Sequence, residues 1–453
     1  MKTPDFIKGA LISNSNIMVI VMLTGCLTTW KIADSTDFSE IKNTDKASEF
    51  NDDCNITQYG TYNDAELFHY DCSHVVYGNE PIAVTEHFSI PPELQRRVNF
   101  WKTVYTKLSV RDYAIHLRDH PEVVLEVIKF PWLDDSGKKD GKARQIIKDR
   151  KAYYAGLLKE IHKQGYTGQE HDSRIKGLMQ HLGGERKFVR SVGAIRAQKG
   201  QKEFILRGLE MSSGYLSHIE TEFEEASVPK DLAKIAFVES SFNLRAVSKV
   251  GASGVYQLMP FVAKKYMHVN DRIDERRDPL KAGIAAAQIL KTNYKILGQW
   301  PLAITAYNHG PYGIKRAVNK AGSDDIVYLI DNYEGRNFGF ASKNFYAQFL
   351  TMLRIVDRGQ IYFPEANLNQ PIQFRPITLD RPTRTAEIKK QYDIDTDTLH
   401  ELNPDISKSH LRRNGRLPRG YVIKLPLADR VSDATTDNSE KANIEQVNAR
   451  ISD

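Results

Sequence analysis

The stretch AFVESSF places a carboxylate, Glu239, where a helix should be burying apolar surface. Reading back to Val228, the apolar residues Val228, Leu232, Ile235 and Phe242 fall along one stripe of a helix, and Glu239 lies within it. A carboxyl held among apolar neighbours is desolvated, which penalises its charged form and raises its pKa from about 4.3 towards neutrality. Such a group keeps a proton at working pH and can act as a general acid. A glutamate snorkelling from a helix end, or one tied in a buried ion pair, would have no such role, and Glu-Ser-Ser alone does not separate these readings. Further carboxylates follow at Asp271, Asp274, Glu275 and Asp278 in NDRIDERRDP. That run is expected to pair with its own arginines and to cap the next helix.

The elements that must position Glu239 are helices and loops. Pro229 suits a first helical turn and Ser227 can cap it, so a helix is expected to carry Glu239. In SKVGASGVYQLMP, Gly251 and Gly254 allow tight turns or close approach of another chain. A short helix is expected at VAKKY. The run from DERRDP into LKAGIAAAQILKTNYKIL reads as a long helix in which Ala282, Ala285 and Ala286 permit close packing. Pro301 starts another helix, PLAITAYNHG, which Gly310 ends.

With 453 residues, 41% of them hydrophobic, the chain can form about three packed domains. Its net charge of +6 is spread among 57 acidic residues, which gives nucleic-acid binding little support. The thirteen histidines are scattered and no Cys/His spacing suggests a metal, so neither a metal nor a cofactor is expected. At the start, two lysines, a short apolar run from Ile17 to Leu23 and small residues up to Cys26 read as an export signal rather than an anchor helix. Leu23-Thr24-Gly25-Cys26 resembles a bacterial lipobox, which implies lipidation at Cys26, with Cys54 and Cys72 left as a possible disulfide pair in an oxidising compartment.

Three motifs in order, ESSF, SKVGASGVYQLMP and AYNHGPYGI, resemble the lysozyme-like catalytic domain of the family 1 lytic murein transglycosylases, most closely the membrane-bound D type. The resemblance covers residues 226 to 356. It implies Glu239 as the single catalytic acid/base and Ser248, Gln257, Met259, Tyr307 and Asn308 as substrate-contacting residues. The family's E-T-x-x-Y-V is replaced by ASKNFYAQFL, where Phe345 or Tyr346 can take the tyrosine position; Tyr346, which keeps the hydroxyl, is the expected one. Val255-Tyr256 and His309 also depart from the family pattern and are expected to tune the cleft.

The expected fold is mainly α: a lipoprotein signal peptide at 1–25, a polar tether at 26–85, a helical region at 86–225, the lysozyme-like domain at 226–365, a small α+β unit at 372–427 and a polar tail at 428–453. Trp101, Tyr105 and Tyr113 are expected as core residues of the helical region. The C-terminal unit, with LHELNP and a closing G-x-x-I-x-L-P in a strand–helix–helix–strand order, resembles a LysM module, although DRPTRT replaces the usual Gly-Asp-Thr. The implied activity is cleavage of the MurNAc–GlcNAc bond of peptidoglycan without water, leaving 1,6-anhydro ends. The alternatives are a goose-type-lysozyme-like hydrolase of the same bond and an inactive peptidoglycan-binding scaffold. The implied partners are glycan strands and, through Cys26, a membrane, with placement in a bacterial envelope on the periplasmic side of the outer membrane.

Overall fold

The structure, a computed structural model, describes residues 53–72, 74–163 and 194–427. Cys26, the signal segment and the polar tail lie outside the described residues. No helix of the described residues is long and apolar enough to cross a membrane, and they contain no cluster of side chains that could hold a metal ion.

The first described segment departs from the expected tether. Strands β1 (Asn55–Tyr62) and β2 (Ala65–Asp71) form a hairpin, with Tyr62 opposite Ala65 and both loop residues, Asn63 and Asp64, at positive φ. That is the turn whose twist matches antiparallel strands. A disulfide between Cys54 and Cys72 closes the other end of the hairpin. Beyond the two-residue strands β3 (Ile82–Ala83) and β4 (Ser89–Ile90) come β5 (Asp112–Leu117), β6 (Val124–Lys129) and β7 (Ile195–Lys199). These join the hairpin in one antiparallel sheet of order β1-β2-β6-β5-β7. The region expected to be helical is therefore mixed. Trp101 and Tyr105 lie on helix α1 (Gln95–Thr106), but Tyr113 lies on β5. Helix α2 (Gly141–Lys163) covers one face of the sheet, over a core that includes Tyr113, Ile115, Ile128, Phe130 and Ile146.

The other core joins α1 to the helices around Glu239. It gathers α3 (Lys202–Ser212), α4 (Leu216–Glu225), α5 (Ile235–Ser240), α6 (Pro260–Ala263), α7 (Pro279–Leu297), α8 (Trp300–His309), α9 (Pro311–Ala321), α10 (Ile326–Asn332), α11 (Phe340–Asp357) and α12 (Gly359–Tyr362). The Trp101 indole donates to Asn344 Oδ1 (3.1 Å), and Phe88 meets Phe349 edge-on at 5.2 Å, so α11 is fixed from the N-terminal side. The small residues Ala282, Ala285 and Ala286 are buried on α7, as their spacing predicts. Gly283 on that helix meets Ile219 of α4, where an added methyl would lie 2.9 Å from the isoleucine side chain.

The C-terminal unit pairs β8 (Arg375–Thr378) with β11 (Val422–Leu425) and β9 (Thr383–Arg384) with β10 (Arg416–Leu417). Helices α13 (Thr385–Gln391), α14 (Thr396–Leu402) and α15 (Lys408–Arg412) lie between them in the chain. Where two strands and two helices are expected, this unit has four strands and three helices.

Candidate active site

Glu239 sits in the last turn of α5, and its helix is shorter than the apolar stripe predicts. Residues Lys230–Lys234 form a 3-10 turn, and only then does α5 begin. Ser227 is not the cap; it has a positive φ of 56° and closes the end of α4 through a bond from its N–H to Glu224 O. After Ser240 the chain takes two left-handed residues in succession, Ser241 (φ 52°) and Phe242 (φ 54°). Such residues cost about 1–2 kcal/mol each. The Phe242 ring offsets that cost by being fully buried, 5.5 Å from Phe237. Gly208 of α3 lets this reversal sit close: a Cβ there would lie 2.4 Å from Ser241 O.

Ser240 ties the helix to the glycine turn. Its Oγ donates to Val255 O (2.9 Å) and accepts from the Asn243 N–H (3.1 Å). Gly254 has φ +76°, and a side chain there would collide with Arg276 O at 1.7 Å, so only glycine fits. Gln257 also has a positive φ (47°), and its amide donates to Gly254 O (2.9 Å) and Ala246 O (3.3 Å). Ser248 closes a tight loop: its Oγ accepts from the Ala252 N–H at 3.0 Å. Met259 is half-buried at the start of α6. Arg276 spans the whole turn, with Nη1 donating to Gly251 O (2.7 Å) and Leu258 O (2.9 Å). These two acceptors are main-chain carbonyls, so nothing in the sequence announces this role.

Across from this turn, the Tyr307 hydroxyl donates to Tyr256 O (3.0 Å), and the Tyr256 hydroxyl donates to Ala233 O (2.9 Å) beneath Glu239's helix. Burial first, then the charges of Glu239 and Tyr256, hold the Tyr307 phenol above its ordinary value, so it stays a donor. Asn308 is exposed and accepts from Ser342 Oγ (3.0 Å), which also lies 3.2 Å from His309 Nδ1. Ser342 and Ser240 are site-forming residues that motif reading passed over. On α11, Phe345 and not Tyr346 stacks near Tyr307, with ring centroids 6.5 Å apart. Successive helical residues point about 100° apart. Tyr346 is 3% exposed and makes no hydrogen bond to Glu239; the side facing Tyr307 carries no hydroxyl.

Glu239 itself is half-buried and makes no hydrogen bond or ion pair among the described residues. Burial alone pushes its carboxyl up to about 8, with no neighbouring charge contributing. Three of the four later carboxylates are engaged elsewhere, and Asp271 is exposed with no partner among the described residues. Asp274 holds Arg276 in a two-point contact (2.8 and 2.9 Å), and Glu275 meets His268 and Lys281. Asp278 caps α7 by accepting from the Leu280 N–H (3.0 Å). A cavity of about 480 Å³ is lined by Asp271, Arg272, Asp274, Arg276 and Asp405 among others, and Glu239, Gln257 and Tyr307 do not line it.

The family described as "Transglycosylase SLT domain" matches residues 218–330, which span α5, the glycine turn and α8. Membrane-bound lytic murein transglycosylase D of Escherichia coli (strain K12) is 24% identical over 229 residues, 49% of this chain and 48% of that protein. A protein of Alteromonas sp. (strain M-1) named for tributyltin chloride resistance is 36% identical over 107 residues, 23% of this chain and 52% of that protein. The chain thus spans about half the length of the curated relatives it matches. The 70 kDa soluble lytic transglycosylase of Escherichia coli aligns at 21% identity and a TM-score of 0.27, over 32% of this chain and 24% of that one.

Proposed function

We propose, from the transglycosylase SLT domain that this chain carries, that the protein is a peptidoglycan lytic transglycosylase with Glu239 as its acid and base. The observation that carries this reading is a partnerless carboxyl inside the matched segment, raised to about 8 by desolvation alone. At neutral pH it holds the proton that a glycosidic leaving group needs.

In the proposed reaction, Glu239 gives its proton to the oxygen between N-acetylmuramic acid and N-acetylglucosamine, and the C1–O bond breaks. The resulting carboxylate then takes the proton of the muramic acid C6 hydroxyl, whose oxygen bonds C1 and closes a 1,6-anhydro ring. Glu239 ends as it began, and water is not consumed. Hydrolytic glycosidases generally use a second carboxylate to activate water or attack the sugar. The commitment of Asp274, Glu275 and Asp278 to arginine, lysine and a helix cap favours the one-carboxylate route. Tyr307, Asn308, Gln257, Ser248 and Met259 are the proposed walls of the glycan groove, with Tyr346 in a packing role beneath it.

The proposal extends to the rest of the chain: lipidation at Cys26, envelope placement on the periplasmic side of the outer membrane, and glycan affinity in the LysM-like unit. Mass spectrometry of the fragments released from purified sacculi tests the chemistry. Fragments ending in 1,6-anhydro-N-acetylmuramic acid are expected; reducing ends would assign the hydrolase reaction instead, and no release by the wild-type chain would leave only a binding scaffold.

A further inference from the structure

The geometry points to the C-terminal unit as a positioning element for the catalytic turn, acting through residues 272–276, beyond any affinity of its own for glycan. This inference rests on the proposed activity of Glu239.

Three observations join the two parts. First, Ile273, from the loop between α6 and α7, is 4% exposed and belongs to the hydrophobic core of the C-terminal unit, with Ile388, Leu399, Ile406 and Ile423. Second, the main chains pair there: the Asp274 N–H donates to Asp405 O (2.9 Å), and the Ser407 N–H donates to Arg272 O (3.0 Å). Third, buried charges lock the contact. Lys424 of β11 meets Asp278, the capping residue of α7, and Lys281 meets Asp405 at 2.8 Å. The Tyr421 hydroxyl donates to the same Asp405 oxygen at 2.7 Å.

From this seam the path to the catalytic turn is short. Asp274, whose N–H is held by Asp405, grips Arg276 through both carboxylate oxygens. Arg276 in turn holds the carbonyls of Gly251 and Leu258, the two ends of the turn that carries Gln257. The Arg276 carbonyl is also the surface against which Gly254 lies with no room for a side chain. Val255 of that turn receives the Ser240 hydroxyl, one residue from Glu239. A shift of Asp405 and Ile406 is thereby passed to the turn without any glycan touching the C-terminal unit. Lys424, Asp405 and Tyr421 are positioning residues in this account.

The test uses full-length Lys424→Met with Lys424→Arg as the conservative variant, and Tyr421→Phe as a milder lesion should Lys424→Met fail to fold. Turnover is measured on a soluble murein oligosaccharide, and backbone hydrogen exchange is followed in the same samples. Loosening the seam is expected to lower kcat about tenfold with KM within about twofold, because the substrate's own contacts are untouched. Amides of residues 251–258 are expected to exchange faster while those of α8 keep their wild-type rates. Lys424→Arg is expected to recover most of the turnover. A variant that loses retention on sacculi but keeps wild-type kcat and wild-type exchange at 251–258 would overturn the inference and leave the unit a wall-binding appendage. Hydrogen exchange reads the coupling even if the wild-type chain cleaves no murein, so failure of the relay and failure of the proposed activity are distinguishable.

Discussion

The seam with the C-terminal unit and the Glu239 site treat hidden carboxyl groups in opposite ways. At the seam with the C-terminal unit, Asp278 and Asp405 face Lys424 and Lys281. Burial would lower the Lys281 ammonium, but Asp405, Asp278 and Glu275 outweigh it and hold it above its ordinary value. Glu126 in the N-terminal sheet is treated likewise: fully buried, it receives Arg150 through Nε (2.9 Å) and Nη2 (2.7 Å). Glu239 is given neither a cation nor a hydrogen-bond donor, and its proton stays on. Burial alone therefore does not make an acid; burial without a partner does. Paired carboxylates in the same fold serve as structural fixings, and Glu239, without a partner, is left free to exchange a proton with a ligand.

The largest expected effect breaks this contrast at the site. Glu239→Gln removes the proton donor while leaving the groove's shape, so fragment release should fall by about a thousandfold, within the range for losing a general acid. Co-sedimentation with sacculi should persist. Release at the wild-type rate would remove Glu239 from the chemistry. The next effect breaks the contrast at the seam. Asp278→Ala strips the cap from α7 and leaves the Lys424 ammonium buried without its partner, a lesion that costs about 3–5 kcal/mol. Urea unfolding should register it as a lower midpoint. An unchanged midpoint would mean that Lys424 reaches solvent instead of depending on Asp278.

The half that carries the match to the transglycosylase domain was legible in the sequence because its pattern is local. Pro301 and Gly310 bracket α8 as read, with Trp300 one residue ahead, and the motif residues Tyr307 and Gln257 converge on the turn beside Glu239. The N-terminal half was not, for a physical reason. Strand β5 is buried at every position, so it shows no alternation of apolar and polar residues, and its aromatic Tyr113 mimics a helical stripe. β2 finds its partner β6 far along the chain, and no local pattern records such pairing. The expected tether is polar because β1 is mostly exposed, although it is a paired strand. At the site, the shift between Phe345 and Tyr346 could not be decided by motif. It depends on which face of α11 turns towards Tyr307, a rotation fixed by contacts such as Trp101 to Asn344.

The smallest effect sharpens the comparison by separating the proposed catalytic role of Glu239 from what it costs the fold. Its folded pKa of about 8 lies above the ordinary 4.5, so the folded chain holds a proton that the unfolded chain has lost between these values. Stability must then fall as pH rises through this window, because the unfolded state binds fewer protons. The contribution of the neutral carboxyl is complete below pH 4.5 and gone once pH passes about 8. Glutamine carries no such penalty, so Glu239→Gln should match wild type below pH 4.5 and exceed it at neutral pH. Part of Glu239 reaches solvent, and water screening holds the gain at pH 7 to on the order of 2 kcal/mol. Wild-type kcat should fall with a midpoint near pH 8, as the same ionisation removes the donor. Denaturation of both proteins across pH 4 to 9 checks the sign: a variant less stable than wild type at neutral pH would mean that Glu239 is charged and paired in the fold.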